Sequence, residues 1–207
     1  MNIEEKINFI KGKYEANKVA IISDSKNNKY ICAIDHNETS NYFALSIYLH
    51  DLNLEPKGFI NFFRDPNKRL FLSTIYIYYD VRGLGLATKL NNLADFILRN
   101  ESHKIICGRF LPYNIPQDKS LPPDLTKDEK DFFARKFYTS AGYKIVSFND
   151  FKTKPSSFPD IAENDFKLGD KFAEKIVYKK LKKLDKNLFR EECWLITENQ
   201  PTETLDK

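Results

Sequence analysis

The fold is decided by one stretch of the sequence, Leu70-Phe-Leu-Ser-Thr-Ile-Tyr-Ile-Tyr-Tyr-Asp-Val-Arg-Gly-Leu-Gly-Leu-Ala-Thr-Lys-Leu90. Its first half, from Leu70 to Tyr79, is rich in β-branched and aromatic residues, which favour a buried strand. From Leu86 onward the apolar residues recur at the spacing of one helical face, which predicts an amphipathic helix. The stretch therefore predicts a strand, a tight turn and a helix in immediate succession.

The turn between this strand and this helix contains an arginine and two glycines, Arg82, Gly83 and Gly85. Glycines let a backbone approach a phosphate closely, and the unpaired amides at a helix N-terminus hold its negative charge. The turn therefore predicts a pyrophosphate site, while a tight structural turn without a ligand would use the same glycines. It is not a P-loop, and Thr88 replaces the third glycine of a Rossmann motif.

The residues Arg82-Gly-Leu-Gly-Leu-Ala87 resemble motif A of the GCN5-related N-acetyltransferases, the GNAT family, whose signature is Gln/Arg-x-x-Gly-x-Gly/Ala. A second stretch, Ala134-Arg-Lys-Phe-Tyr-Thr-Ser-Ala-Gly-Tyr143, resembles the helix of the same family that ends in a tyrosine, a glycine and an aromatic residue. In this stretch Tyr138 stands four residues before Gly142. The resemblance covers about Lys57 to Leu181.

The resemblance implies an α/β fold with a central mixed, mostly antiparallel sheet, flanked by helices and splayed between the family's fourth and fifth strands. We expect a single GNAT-like domain over residues 1–185, with a helix and a hairpin in residues 1–40 and the best-matched core in residues 57–181. Residues 186–207 are expected to form a C-terminal extension or tail. The N-terminal region departs from the family, because no helical period separates the strands where the family has two helices.

Other segments can be predicted from local patterns. Apolar spacing predicts a helix over Ile3 to Tyr14, and Asp24 to Asn28 predicts the turn of a hairpin. The proline-containing insertion from Pro112 to Leu125 is expected to be a lid over the acceptor or a mobile segment. Asn149 to Leu168 has no steady period and is expected to be a loop. Lys175 to Leu181 is expected to be the final strand.

Local signals also set the ends of the motif-bearing helix and the character of the last strand. Thr126 and Glu129 form a capping-box pattern, so the helix should begin there, and Gly142 should end it in the left-handed conformation. The lysines of the final strand, Lys179 and Lys180 among them, suit the solvated side of an edge strand, although they also suit a nucleic-acid patch.

By resemblance, the chain binds acetyl-coenzyme A as its acyl donor. The residues expected to bind this cofactor are Ile77, Tyr78, Arg82, Gly83, Leu84, Gly85, Leu86, Ala87, Thr88 and Asp131. The backbone near Ile77 and Tyr78 should meet the pantetheine arm, and the amides from Gly83 to Ala87 should meet the pyrophosphate. Asp131 stands where the family often has asparagine, so its contact with the pantetheine is altered.

The catalytic residue implied by the resemblance is Tyr138, which would protonate or hydrogen-bond the coenzyme A thiolate; an aromatic packed in the core is the alternative. The central strand carries no acidic residue, so it offers no general base. His50, Asp51 and Glu55 are candidates, in a predicted loop between strands, and histidine has a suitable pKa. An amine that is already partly neutral would need no base.

Composition limits the class of protein. The 207 residues suit one domain, and 33 basic against 29 acidic residues give a net charge of +4, so a nucleic-acid partner is not expected. The three cysteines have no metal-ligand spacing, so no metal is expected, and Cys107 is interpreted as a buried small residue. The sequence contains neither a signal peptide nor a run long enough to cross a bilayer, so we expect a cytoplasmic protein with no membrane partner.

The predicted function is acetyl-coenzyme A-dependent transfer of an acetyl group to a primary amine, by direct attack in a ternary complex. A non-catalytic acyl-coenzyme A-binding or interaction module on the same fold is the alternative, and transfer of another acyl or aminoacyl group is a third possibility. A small-molecule amine, a protein amine and an aminoacyl-tRNA remain open as acceptors. A homodimer is compatible with the family.

Overall fold

The computed structural model of the chain describes residues 1–39, 42–64, 70–100, 105–110, 126–168, 171–181 and 193–196. The helices in these ranges are α1 (Ile3–Lys13), α2 (Leu86–Asn100), α3 (Lys127–Ser140) and α4 (Phe148–Thr153). The strands are β1 (Lys18–Ser23), β2 (Lys29–Glu38), β3 (Phe43–Asp51), β4 (Pro56–Arg64), β5 (Leu70–Ile77), β6 (Ile105–Arg109), β7 (Lys144–Ser147), β8 (Lys167–Leu168), β9 (Lys171–Phe172), β10 (Lys175–Lys180) and β11 (Cys193–Ile196).

Nine of these strands form one sheet in the order β11-β1-β2-β3-β4-β5-β6-β10-β7, and β8 and β9 form a separate pair. Seven of the eight neighbouring pairs in the large sheet are antiparallel, whereas β5 and β6 run parallel. The connection between the parallel strands contains α2, as a parallel crossover requires. The predicted fold class, a mixed and mostly antiparallel sheet flanked by helices, is confirmed.

The sheet opens between β5 and β6. The two strands pair over three residues only, from Leu70 opposite Ile106 to Leu72 opposite Gly108, although β5 continues to Ile77. On the other side of β5, the register with β4 shifts so that Ser73 has no partner. The predicted splay is therefore confirmed, and it lies between β5 and β6 because the additional N-terminal strand β1 shifts the count by one.

The two faces of the sheet are covered by different helices. Ala20 of β1 and Leu72 of β5 belong to the large apolar cluster that contains the buried side of α2. Their neighbours Val19 and Phe71 point to the opposite face, where Val19 packs with α1 and Phe71 with α4. This alternation is the two-residue period of a strand.

The segments with strong local signals have the predicted structure. The predicted N-terminal helix is α1, capped at Asn2 by a hydrogen bond from the Glu5 amide. The capping box of Thr126 and Glu129 starts α3, and Gly142 follows that helix with a φ of +82°. The predicted hairpin is the pair of β1 and β2.

The prediction of a loop over Asn149 to Leu168 is wrong. The segment contains most of α4, two 3₁₀ turns (Pro155–Ser157 and Glu163–Phe166) and β8. The Ser147 side chain caps α4, and Phe148 packs edge-to-face against Phe166 at 5.1 Å between ring centroids. These short elements are stabilised by tertiary packing. They are too short to produce a helical period in the sequence, so the prediction missed them.

The prediction that Lys175 to Leu181 forms an edge strand is also wrong, because β10 lies between β6 and β7. Its Lys179 is 9% exposed and forms an ion pair with Asp95 of α2, so this lysine is not part of a solvated face. Lys180 is exposed and forms an ion pair with Asp160. The prediction of an edge strand failed because strand order depends on long-range pairing.

Some predictions concern residues that the structure does not describe. The insertion from Pro112 to Leu125 and most of residues 186–207 lie outside the described ranges. Within that last segment β11 is described, and it pairs antiparallel with β1. Among the helices that the structure describes, none is long and apolar enough to cross a membrane.

A buried polar cluster connects α2 to β10. The Asp95 carboxylate contacts Lys179 Nζ and lies 3.9 Å from the Arg99 guanidinium. The Tyr143 hydroxyl donates a hydrogen bond of 3.1 Å to Asn91 on the same face of α2. Burial raises the pKa of the Asp95 carboxyl and lowers that of Lys179. Each of these two groups therefore depends on the other for compensation of its lost hydration.

We expect Lys179→Met to lower the free energy of unfolding by about 3 kcal/mol, because it leaves Asp95 buried without its main partner. The double variant with Asp95→Leu should be more stable than Lys179→Met alone. Lys180→Met, a control at the neighbouring exposed lysine, should change the stability by less than about 1 kcal/mol. Urea unfolding measures all three, and a double variant no more stable than Lys179→Met would contradict the dependence of Asp95 on Lys179.

Candidate active site

The glycines between β5 and α2 have the backbone conformation that only glycine adopts readily. Gly83 and Gly85 have φ values of +80° and +78°. A Cβ atom at either position would meet no other atom within 4 Å, so the backbone conformation, not space, requires glycine here. The Lys89 amide donates to the Gly85 carbonyl at 3.1 Å, so the amides before Lys89 precede the first helical hydrogen bond.

Beside this turn lies a cavity of about 950 Å³. One wall is the part of β5 beyond its pairing with β6, from Ser73 to Ile77, and another is the turn with the start of α2. The third wall is the side of α3 that carries Tyr138. Phe71, which belongs to the face opposite α2, also lines it, so the cavity reaches both faces through the opening between β5 and β6.

The cavity brings together most of the residues predicted to bind the cofactor. Those that line it are Ile77, Arg82, Gly83, Gly85, Leu86, Ala87 and Thr88, together with the predicted catalytic residue Tyr138. The lining does not include Tyr78, Leu84 or Asp131. The carboxylate of Asp131 forms an ion pair with Arg135, one helical turn further along α3.

Arg82 is held by the end of β5. Its Nε atom donates a hydrogen bond of 2.8 Å to the Ile77 carbonyl. Its guanidinium lies over the rings of Tyr76 and Tyr79, at 5.3 and 5.7 Å from their centroids. These contacts fix a positive charge at the point where the glycine turn and the end of β5 meet.

The charge of the cavity is positive. Four basic residues line it, namely Arg82, Arg109, Lys130 and Lys136. No acidic residue belongs to the lining among the residues that the structure describes. Low-dielectric walls with charges of one sign concentrate ligands of the opposite sign, so the cavity suits an anionic ligand.

Apart from Tyr138, sequence reasoning missed most of the α3 residues of this lining. Lys130 and Ala134 precede Tyr138 by eight and four residues and lie on the same side of the helix. Counting back from Tyr138 in helical turns would have found both. Phe133, which is 54% exposed, also faces the cavity, and nothing in the sequence distinguishes it from a core residue.

Tyr138 is held among aromatic rings. Its ring lies 5.8 Å from that of Phe110, 5.1 Å from Phe137 and 5.6 Å from Tyr143, centroid to centroid. The Tyr143 amide donates to the Tyr138 carbonyl at 2.8 Å, which joins the last turn of α3 to the residue before β7. The side chain that borders the cavity is therefore positioned by the core on its other sides.

The loop predicted to carry the candidate bases is instead the end of β3, which continues to Asp51 before the hairpin turn. His50 is fully buried, and its Nε2 atom lies 3.0 Å from the Tyr14 hydroxyl of the segment that follows α1. Asp51 lies 3.5 Å from Lys57, and Glu55 is exposed in the turn. None of His50, Asp51 and Glu55 lines the cavity.

Burial, together with the nearby charge of Lys13, lowers the pKa of His50 to about 4. Because the folded pKa lies below the unfolded value of 6.5, neutral His50 stabilises the fold fully above pH 6.5. This contribution is lost as the pH falls through 6.5 towards 4.

We therefore expect the free energy of unfolding to fall by roughly 2 kcal/mol more in the wild type than in His50→Gln between pH 7.5 and pH 4, with partial screening by solvent included. Urea unfolding at pH 7.5, 5.5 and 4 measures the difference between the two proteins. Parallel pH profiles for wild type and variant would contradict the assignment of this pH dependence to His50.

No protein-family model matches the chain, and no curated protein matches it. A structure search finds a GNAT-family acetyltransferase from Staphylococcus aureus Mu50, at 17% identity over 67% of this chain and 69% of that chain, with a TM-score of 0.45. It also finds a GNAT-family N-acetyltransferase from Escherichia coli in complex with coenzyme A, at 12% identity over 67% and 59% of the two chains, with a TM-score of 0.42.

A third match is Tetrahymena GCN5, at 11% identity over 68% of this chain and 70% of that chain, with a TM-score of 0.40. The mostly antiparallel sheet, its opening between β5 and β6 and the glycine turn before α2 agree with the fold that the two sequence motifs imply.

Proposed function

We propose that the chain is an acyl-coenzyme A-dependent N-acyltransferase of the GNAT type, with acetyl-coenzyme A as donor and a primary amine as acceptor. The observation that carries this proposal is the single cavity that joins the left-handed glycine turn to the opening between β5 and β6. A ligand with a pyrophosphate at one end and an extended arm at the other fits this arrangement.

The glycine turn would hold the pyrophosphate. The amides of Gly85 to Thr88 lie at the N-terminus of α2, where the helix dipole adds to their attraction for an anion. Arg82 adds a fixed charge beside them, and Lys130 and Lys136 of α3 add charges across the cavity. These lysines would meet the remaining phosphate of the coenzyme.

The part of β5 beyond its pairing with β6, from Ser73 to Ile77, would hold the pantetheine arm. These residues line the cavity, so an extended ligand would lie along the backbone of this strand. Such contacts depend on main-chain groups and would direct the thioester along β5 towards the Tyr138 side of the cavity.

In the reaction a C–N bond replaces the C–S bond of the thioester. A neutral amine attacks the thioester carbonyl, the new C–N bond forms, and the C–S bond breaks with its electron pair on sulfur. Tyr138 donates its hydroxyl proton to the departing thiolate, and the amine nitrogen releases a proton that restores the tyrosine through solvent. No covalent acyl-enzyme is needed, so the donor and the acceptor bind together.

The acceptor would attack without a protein base. No histidine or carboxylate lines the cavity among the described residues, so the amine must arrive partly neutral. The same observation favours a second candidate function, a binding module that holds an acyl-coenzyme A without transferring the acyl group. We further propose a cytoplasmic location, because the three cysteines are odd in number and far apart in the sequence. Cys107 is buried, as expected from the sequence.

Arg82→Ala is expected to weaken acetyl-coenzyme A binding about tenfold, because it removes a charge at the turn and frees the Ile77 carbonyl. Isothermal titration measures the dissociation constant. Arg64→Ala is the control, since Arg64 pairs with Glu38 at 2.9 Å away from the cavity and should leave binding unchanged. No binding of acetyl-coenzyme A or free coenzyme A to the wild type would overturn the proposed function.

Tyr138→Phe is expected to lower kcat by about a hundredfold and leave the KM for acetyl-coenzyme A nearly unchanged, because the ring packing remains and only the hydroxyl is lost. A thiol-release assay with a panel of amine acceptors measures both constants. An unchanged kcat would remove Tyr138 from the mechanism. Tight binding without thiol release from any amine would favour the binding module.

A further inference from the structure

The turn between β1 and β2, Asp24 to Asn28, is organised by a buried carboxylate. Asp24 is 2% exposed, and its Oδ1 atom accepts hydrogen bonds from the amides of Lys26 and Asn28 at 2.7 and 2.9 Å. Its Oδ2 atom accepts from the Asn28 side chain at 2.9 Å and from the Tyr30 hydroxyl at 3.1 Å. Four accepted hydrogen bonds leave this turn little conformational freedom.

This turn contacts the glycine turn through the backbone. The Ser25 amide donates a hydrogen bond of 3.0 Å to the Leu84 carbonyl. The Leu84 side chain packs against the large core cluster, so the residue is held on two sides. The contact joins the N-terminal hairpin to the segment that precedes α2.

The geometry of a peptide unit gives this hydrogen bond a consequence for Gly85. In a trans peptide the carbonyl oxygen and the following amide hydrogen point in opposite directions, and the described backbone contains no cis peptide. Because the Leu84 carbonyl points at Ser25, the Gly85 amide points away from the hairpin. Gly85 lines the cavity and Leu84 does not, so an amide in this direction can reach a ligand bound there.

We propose that the Asp24–Asn28 turn is a positioning element for the phosphate-binding site: the Ser25 amide fixes the Leu84–Gly85 peptide so that the Gly85 amide faces the ligand. This inference rests on the proposed function, because the ligand is the pyrophosphate of an acyl-coenzyme A. A glycine turn with two left-handed residues has several accessible conformations, and the hairpin selects one of them.

The chain contains a second turn of the same construction, which provides a control. In the turn between β3 and β4, Asp51 Oδ1 accepts from the amides of Asn53 and Glu55, and Leu54 has a φ of +68° where Asn27 has +64°. Leu52 follows Asp51 as Ser25 follows Asp24, so Leu52 is the residue of the β3–β4 turn that is equivalent to Ser25. Leu52 and Leu54 pack against the α1 cluster on the opposite face of the sheet.

The test replaces the amide donor with proline at both matched positions. Proline is favoured at the residue after the first of such a turn, which is the position of Ser25 after Asp24. Ser25→Pro therefore removes the donated hydrogen bond and keeps the turn. Isothermal titration of Ser25→Pro and Leu52→Pro uses two ligands, acetyl-coenzyme A and acetyl-pantetheine, the second of which lacks the pyrophosphate. Thermal unfolding confirms that each variant is folded at the assay temperature.

We expect Ser25→Pro to bind acetyl-coenzyme A about tenfold more weakly and acetyl-pantetheine as well as the wild type does, and Leu52→Pro to bind both ligands normally. In turnover, Ser25→Pro should raise the KM for acetyl-coenzyme A and leave kcat unchanged. Asp24→Asn, which retains one acceptor oxygen, should show a smaller loss in the same direction and serves as the second variant if Ser25→Pro does not fold.

Unchanged affinity of Ser25→Pro for acetyl-coenzyme A would overturn the inference and leave the proposed function intact. An equal loss for both ligands would overturn it as well, since a general structural defect does not depend on the pyrophosphate. If the wild type itself fails to bind acetyl-coenzyme A, the proposed function falls and this inference falls with it.

Discussion

The structure depends on the short pairing between β5 and β6. Three residue pairs join β5 to β6, and β5 continues beyond them from Ser73 to Ile77. At the end of this strand the Ile77 carbonyl accepts a hydrogen bond from Arg82. Residues 73–77 line the cavity, so the opening in the sheet creates the site.

The walls of the cavity are fixed by contacts that lie outside it. The β1–β2 turn holds the Leu84 carbonyl, and aromatic rings surround Tyr138 on its core side. The buried pair of Asp95 and Lys179 joins α2 to β10, so the helix that begins at the glycine turn is tied to the second half of the sheet. Backbone amides have no side-chain rotamers with which to adjust to a ligand. Their positions in the site are therefore set by surrounding contacts such as these.

The sequence predicted what local patterns determine and missed what long-range pairing determines. The strand, glycine turn and helix from Leu70 to Leu90, and the capping box at Thr126, are signals contained within a few residues. The burial of Lys179 depends on β10 lying inside the sheet, and that of His50 depends on α1 covering β3. The contact between Ser25 and Leu84 joins residues about sixty positions apart, and no local pattern predicts it.

We propose that the amides at the start of α2 bind the pyrophosphate of an acyl-coenzyme A. Amide hydrogen exchange over residues 82–90, with and without saturating acetyl-coenzyme A, tests this binding at the amides themselves. We expect slower exchange at Gly85, Leu86, Ala87 and Thr88 with acetyl-coenzyme A, and no such protection with acetyl-pantetheine. Exchange that acetyl-coenzyme A leaves unchanged at these amides would contradict the proposal.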